Sequence, residues 1–376
     1  MNNQKIKVVA DENISGLEYF ENIAEVSKVS GRSLSAREVN YADALLVRSV
    51  STVNKELLES SNVKFVASAT SGIDHVDLEF LRAKKIHFSY APGSNANSVV
   101  QYVFASLAFL SEKYHFDWRE LSIGIVGAGN VGTLLASYLD KLGVDFVIYD
   151  PFLDGSHPHC EKFSNFETAL RQDLITVHTP LTEQGLFPTR HLFDKVVLQG
   201  LAVDSMIINT SRGAVFDNQA LYTEYENHSW KCVLDVWENE PDIFTPLLKQ
   251  VDIGTCHIAG YSYEGKEQGS AQIYQAFIDF FNIENAPPFP INTDKKVLKA
   301  PNSKMDLEQI NQSILMAYAI SADHKQMLKL LEKKPLITFD ELRKKYPLRR
   351  EFQFFCLGKT GYTAAAKKVL HSLGFN

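Results

Sequence analysis

The stretch Leu121-Ser122-Ile123-Gly124-Ile125-Val126-Gly127-Ala128-Gly129-Asn130-Val131-Gly132 decides the fold. Its first half is a short apolar run that reads as a buried strand, and its second half is GxGxxG. Asn130–Leu142 continues it as a helix, and Val144–Tyr149 is the next strand, closed by Asp150. Strand, glycine turn, helix, strand and terminal acid is the order of a dinucleotide-binding unit. Gly127 permits the tight turn, Gly129 lets backbone approach a pyrophosphate, and Gly132 lets helix and strand pack closely. Asn130 and Val131 open the helix, whose N-terminus offers free N–H groups to phosphate. Asp150 would accept from the ribose hydroxyls and repel a 2′-phosphate, which favours NAD over NADP. A glycine turn with no ligand leaves this context unexplained.

Outward from that unit, the alternation continues. Leu174–His178, Met206–Asn209, Lys231–Val236 and Ile253–His257 read as further short buried strands, with helical stretches such as Asn218–Glu226 between them. Upstream, Lys5–Ala10, Ala44–Val47, Val63–Ala67 and Ile86–Tyr90 each end in polar or turn residues. Two doubly wound parallel sheets are expected, a flavodoxin-like one first and a Rossmann one second. Asn97–Lys113 reads as a helix buried on most of its surface, and Tyr263–Phe281 as a later one. At Pro287-Pro288-Phe289-Pro290 the rhythm breaks. Helices near Met305–Ile320, Asp323–Glu332, Phe339–Tyr346 and Thr363–Leu373, with one strand at Phe352–Leu357, make a small α/β tail.

With 376 residues, the chain suits about two and a half domains at roughly 150 residues each. Its 38 basic and 45 acidic residues give a net charge of −7, which argues against a nucleic-acid partner. Apolar residues at 45% exclude global disorder. Four scattered cysteines without CxxC fit neither a disulfide framework nor a zinc site, so no metal is expected. Near the N-terminus only Val8–Ala10 is unbroken apolar sequence, too short for a signal segment, and no run reaches membrane-spanning length. A cytoplasmic protein is expected.

Three later strand ends carry candidate chemistry. Asn209-Thr210-Ser211-Arg212-Gly213 places an arginine where it could pair with a carboxylate, or lie in a surface loop. In Asp235-Val236-Trp237-Glu238-Asn239-Glu240-Pro241, Asp235 could reach a nicotinamide or hold a helix end, Glu238 could be solvated, and Glu240 could orient a base. His257-Ile258-Ala259-Gly260 places a histidine, the side chain suited to proton exchange near neutral pH, beside those carboxylates. His75, His178, His191 and His228 are read as structural or exposed.

The glycine loop with Asp150, His178-Thr179-Pro180-Leu181, NTSRGAVFD from Asn209, LDVWENEP from Leu234 and HIAG from His257 resemble the NAD-dependent D-2-hydroxyacid dehydrogenase family in order and spacing. The resemblance implies a catalytic triad of Arg212, Glu240 and His257, with His257 as acid/base, Glu240 as its partner and Arg212 on the substrate carboxylate. It places Thr179, Thr210, Ser211, Arg212 and Asp235 in the cofactor site. It also makes the substrate domain discontinuous, residues 1–98 and 258–285, around an NAD domain of residues 99–257, with a dimerisation domain at 286–376.

A narrower likeness lies in Val9–Asn13, Leu46–Val50, Ala69–Asp77, Asp252–Tyr261 and Tyr263–Lys266. These strings are similar to the branch of that family that oxidises 4-phospho-D-erythronate in the synthesis of pyridoxal 5′-phosphate. By that likeness Ser49, Thr70 and Tyr261 contact the small phosphorylated 2-hydroxy acid, with backbone N–H groups at Ser71 and Gly72. Gly260 then lies beside the cofactor, and the chain forms a homodimer. Ser94 stands where the branch usually has cysteine, and the tail matches weakly. Arg48 and the pair Arg349-Arg350 are both open as phosphate anchors. Another family enzyme, such as a 3-phosphoglycerate dehydrogenase or a glyoxylate reductase, is an alternative. A non-catalytic NAD-sensing corepressor is another, which turnover distinguishes.

Overall fold

The structure is a computed structural model and describes residues 5–290, 292, 294–332 and 336–376. The first four residues of the N-terminal stretch read above lie outside that set. The chain forms two compact units, Met1–Asn95 with Tyr261–Thr293 and Ala96–Gly260 with Asp294–Asn376.

In the first unit the strands are β1 (Lys7–Asp11), β2 (Glu25–Val29), β3 (Ala44–Val47), β4 (Phe65–Ser68) and β5 (His87–Tyr90). They pair in parallel in the order β2-β1-β3-β4-β5. β3 and β4 are buried at every position, as a strand covered on both faces must be. The order reverses between β1 and β3, so their carboxyl ends, Asp11 and Val47, flank a topological switch point. The helix Tyr263–Phe281 packs Ile273, Tyr274 and Phe277 into a core that includes Phe20 and Phe65. Ser262 caps it, its hydroxyl accepting from the Gly265 amide at 2.9 Å. The proline-rich segment stays with this unit, since the Phe289 ring sits 5.0 Å from Tyr19 and 5.7 Å from Tyr274.

The second unit holds β6 (Ile123–Val126), β7 (Phe146–Tyr149), β8 (Leu174–Val177), β9 (Met206–Asn209), β10 (Lys231–Leu234) and β11 (Ile253–Gly254). Their parallel order is β11-β10-β9-β8-β6-β7, with the switch between β6 and β8. The helix Ala96–Tyr114 is buried along most of its length, as its broad apolar spread requires. Part of its cover is the tail. The helix Asp306–Ala317 packs on it, and Asn311 bridges Ser111 Oγ and Trp118 Nε1, both at 2.9 Å. The helix Ala364–Ser372 packs on Asp306–Ala317 and on the helix Asn130–Leu142. A two-stranded parallel sheet joins β12 (Lys296–Leu298) to β13 (Phe355–Leu357).

Two doubly wound parallel sheets with a small α/β tail are thus present. Two strands escape a sequence reading. β2 is an edge strand, Glu-Val-Ser-Lys-Val, with no buried residue and so no apolar run, and β12 is three residues with only Leu298 buried. Several expected strands are shorter than their apolar runs. Residues 352–354 form a turn of 3₁₀-helix before β13, and β11 stops at Gly254. Beyond Gly254 the Thr255 and His257 amides still reach the carbonyls of Leu234 and Asp235, and from Ile258 on the amides turn to the Asp235 carboxylate.

Candidate active site

The glycine loop follows β6. Gly127 has φ +91°, which favours glycine, and donates its amide to the Tyr149 carbonyl at 2.8 Å. A Cβ on it would fall 2.9 Å from backbone of His178 and Thr179, and one on Gly132 would fall 2.1 Å from the Gly127 carbonyl oxygen. Gly129 differs: a Cβ there would meet nothing within 4 Å. Two glycines therefore close the turn, and the third keeps an open approach to the N-terminus of the helix Asn130–Leu142. No side chain caps that terminus. Beside the loop, the Thr179 hydroxyl oxygen is buried with no hydrogen-bond partner among the described residues. Open backbone donors and an orphaned hydroxyl suit the phosphates and polar groups of a dinucleotide.

Asp150 does more than end β7. Its carboxylate accepts the Ala128 amide at 3.0 Å and the Phe152 amide at 3.1 Å, tying the glycine loop to its own. His178 is held between the hydroxyls of Thr176, at 3.0 Å, and Thr210, at 2.9 Å. Burial pulls its pKa down to about 3, so the ring is neutral and structural.

After β9 the chain turns on Asn209, whose side-chain oxygen accepts from the Ser211 amide at 3.0 Å and the Ser211 hydroxyl at 2.6 Å. Arg212 follows in extended backbone, half-buried, with Nη1 donating to the Ser211 carbonyl at 2.9 Å. Gly213 brings this loop against the one after β10, since a Cβ there would lie 1.9 Å from Trp237 carbonyl atoms.

Asp235 follows β10, is fully buried and organises the histidine segment. Its Oδ1 accepts from Thr255 Oγ1 at 2.6 Å and the Ile258 amide at 2.7 Å, and its Oδ2 from the Ala259 amide at 2.9 Å. Its carbonyl accepts the His257 amide at 2.7 Å. His257 itself has φ +57°, a conformation a side chain with a Cβ adopts at a cost of about 1–3 kcal/mol and keeps only when its surroundings enforce it. Glu240 receives the Trp237 amide on Oε1 at 2.8 Å and faces His257 Nδ1 with Oε2, also at 2.8 Å. Burial raises the Glu240 pKa, but His257, the Trp237 amide and the charge of Arg343 outweigh it and hold the carboxyl below its ordinary value. Glu238, which on the sequence could be solvated, is half-buried and meets His191 Nε2 at 2.7 Å. Gly260 closes this unit's share of the chain.

In the first unit, Ser49, exposed, follows β3, and Thr70, Ser71 and Gly72 follow β4. Thr70 Oγ1 lies 2.6 Å from Ser68 Oγ and donates to the Gly72 carbonyl at 2.9 Å, while Ser71 Oγ accepts the Gly93 amide at 3.1 Å. The ring of Tyr261 lies under Lys266 Nζ at 5.0 Å. At the switch point Arg48 reaches the buried Asp11 through Nε at 3.2 Å and Nη2 at 3.3 Å. Arg349 is not an exposed anchor: it is buried, with its guanidinium 4.3 Å over the Tyr318 ring. Among the described residues no cluster of His, Cys, Asp or Glu could hold a metal ion, and no helix is long and apolar enough to cross a membrane.

Residues 106–259 match the model of the D-isomer specific 2-hydroxyacid dehydrogenase NAD binding domain. The chain is 39% identical over 376 residues to erythronate-4-phosphate dehydrogenase of Proteus mirabilis, covering 99% of each, and 41% identical to that of Cellvibrio japonicus, covering 98% of this chain and 99% of that one. The chain belongs to the erythronate-4-phosphate dehydrogenase family. As such it is an NAD-dependent D-2-hydroxyacid dehydrogenase, and NAD is its cofactor. The fold extends to solved structures: 3-phosphoglycerate dehydrogenase of Entamoeba histolytica with NAD+ bound has a TM-score of 0.63 at 21% identity, covering 77% of this chain and 99% of that one. D-Lactate dehydrogenase of Aquifex aeolicus, complexed with NAD and lactic acid, has a TM-score of 0.61 at 22% identity, covering 76% and 100%. Residues 298–374 of this erythronate-4-phosphate dehydrogenase family member match a domain of unknown function.

Proposed function

We propose that this chain oxidises 4-phospho-D-erythronate at C2 to 3-hydroxy-2-oxo-4-phosphooxybutanoate, in the synthesis of pyridoxal 5′-phosphate, as a cytoplasmic homodimer. The observation that carries the mechanism is the 2.8 Å contact of Glu240 Oε2 with His257 Nδ1. A carboxylate there fixes the tautomer with hydrogen on Nδ1 and leaves Nε2 as the basic atom. His257 Nε2 takes the C2 hydroxyl proton, and Glu240 stabilises the imidazolium that results. Bound NAD supplies the acceptor for the hydride that leaves C2, so the carbonyl forms with two electrons and one proton accounted for. Arg212 binds the substrate carboxylate, its loop fixed through Asn209 and Gly213. Backbone N–H groups at Ser71 and Gly72, with Ser49, Thr70 and Tyr261, complete the substrate contacts. Thr210, Ser211, Gly260 and the glycine loop serve the cofactor, and Asp235 acts by holding the segment that carries His257. Arg349 being buried, Arg48, oriented by Asp11, and Arg350 are the phosphate anchors left to this reading.

The names of full-length relatives at about 40% identity support the substrate. A product-formation assay tests it, comparing 4-phosphoerythronate, 3-phosphoglycerate and D-lactate with a 2-keto acid present to reoxidise the cofactor. The highest kcat/KM is expected with 4-phosphoerythronate, and a preference for 3-phosphoglycerate overturns the assignment.

A further inference from the structure

The C-terminal tail grips the segment that carries His257 from both sides. Upstream, the Gly254 amide donates to His324 Nδ1 at 3.0 Å. Downstream, Arg349 Nη2 donates to the Ala259 carbonyl at 2.5 Å. His257, with φ +57°, lies between these two holds. Asp235 takes the amides of Ile258 and Ala259 but cannot take a carbonyl, so the Arg349 guanidinium supplies the donor that Asp235 lacks.

Arg349 is itself fixed. It stacks over Tyr318, and the hydroxyls of Tyr318 and Tyr346 both donate to Asp323, at 2.9 and 2.8 Å. Asp323 and Asp235 balance its buried charge. A second tail arginine, Arg343, adds its charge at Glu240. Two residues on from Arg349, buried Glu351 accepts from Asn97 Nδ2 at 2.6 Å and Ser98 Oγ at 2.8 Å. The chain passes between the two units at Asn95–Ala96, at Gly260–Tyr261 and at Thr293–Asp294. One short tail segment thus binds the chain next to the first two of these passages, on the side of the second unit.

We propose that the tail is a positioning element for the reaction, with Arg349 holding the Ala259 carbonyl so that His257 keeps the backbone conformation that presents its ring to Glu240. Arg349 acts through the backbone and touches no reacting atom. The inference rests on the reading of His257 as the base.

The test uses the full chain with NAD and 4-phosphoerythronate and compares Arg349→Met, Arg349→Lys and Asn311→Ala. The last loosens the tail at a different hold, where it bridges Ser111 and Trp118. Arg349→Met is expected to lower kcat by about tenfold or more with the KM for NAD within about twofold, the size of effect that removing an orienting group has. Arg349→Lys, which keeps a donor and a charge, should fall between Met and wild type. Asn311→Ala should lower Tm and leave kcat within about twofold. An Arg349→Met enzyme with wild-type kcat overturns the proposal, as does an Asn311→Ala enzyme that loses as much kcat as Arg349→Met. If Arg349→Met does not fold, Arg349→Lys decides: reduced kcat with an unchanged KM for NAD supports positioning, and wild-type kcat refutes it. A wild-type enzyme inactive on 4-phosphoerythronate would instead sink the proposed function.

Discussion

The Cβ that Gly213 lacks would stand 1.9 Å from the carbonyl carbon of Trp237. The loop carrying Arg212 and the loop carrying Glu240 are thereby in backbone contact, with no room for a methyl group. Gly213→Ala must push them apart. Overpacking of this kind costs about 1–3 kcal/mol. The expected result is a lower Tm together with a higher KM for the hydroxy acid, measured by thermal melts and steady-state kinetics. An alanine variant with wild-type KM would mean the loops move independently.

His257→Asn removes the base and leaves the glycine loop untouched. Turnover should drop by about 10²–10⁴-fold, the usual worth of general base catalysis. NAD affinity, read by fluorescence titration, should stay within about twofold. Loss of cofactor binding in step with turnover would point to damage beyond the base.

Glu240 is held below its ordinary pKa in the folded chain. A group of this sign adds stability above its unfolded pKa and loses it as pH falls through the folded value. Urea midpoints of wild type and Glu240→Gln should therefore differ most near neutrality and converge in acid. A gap that widens on acidification would contradict the pairing.

His178 also loses stability in acid, because burial depresses its pKa. Its folded pKa of about 3 lies below the ordinary histidine value of 6.5. Between those two pH values the unfolded chain binds a proton that the folded chain refuses. Stability is complete above pH 6.5, declines as pH falls toward 3, and is flat below. The contribution to the slope is at most about 1.4 kcal/mol per pH unit. His178→Gln should remove it, and an unchanged acid slope in that variant would show that His178 charges in place.

Asp150 accepts two loop amides besides any ribose contact. Asp150→Ala should weaken NAD binding and also lower Tm, since two hydrogen bonds at about 0.5–1.5 kcal/mol each disappear. A melt unchanged by the substitution would mean the loop holds without it.

Much of this was legible from residue patterns because the two parallel sheets are buried on both faces. β3, β4, β6, β8 and β9 stand out as apolar runs, and the glycine spacing picks out the switch point beside β6. What hid were elements whose reason is local hydrogen bonding or a distant partner. β2 has no apolar face to betray it. The double duty of Asp150 and the three hydrogen bonds from the histidine segment to the Asp235 carboxylate depend on loops folding back, which spacing does not encode. In sequence Arg349 is half of a pair open as a phosphate anchor, and its burial under Ala259 and Tyr318 separates it from the half-buried Arg350. The buried spread of Ala96–Tyr114 was visible, but not that tail residues cover part of it.

That shared helix has a consequence for how the molecule is made. During synthesis Ala96–Tyr114 leaves the ribosome roughly 200 residues before Asp306–Ala317, the helix that covers part of it. At about 5–20 residues per second the delay is on the order of 10–40 s. Through that interval the second sheet can close while Trp118 and Ser111 wait for Asn311. The nascent chain therefore carries an apolar flank that a chaperone must shelter or that a neighbouring chain can seize, and expression yield should respond to translation rate as well as to final stability.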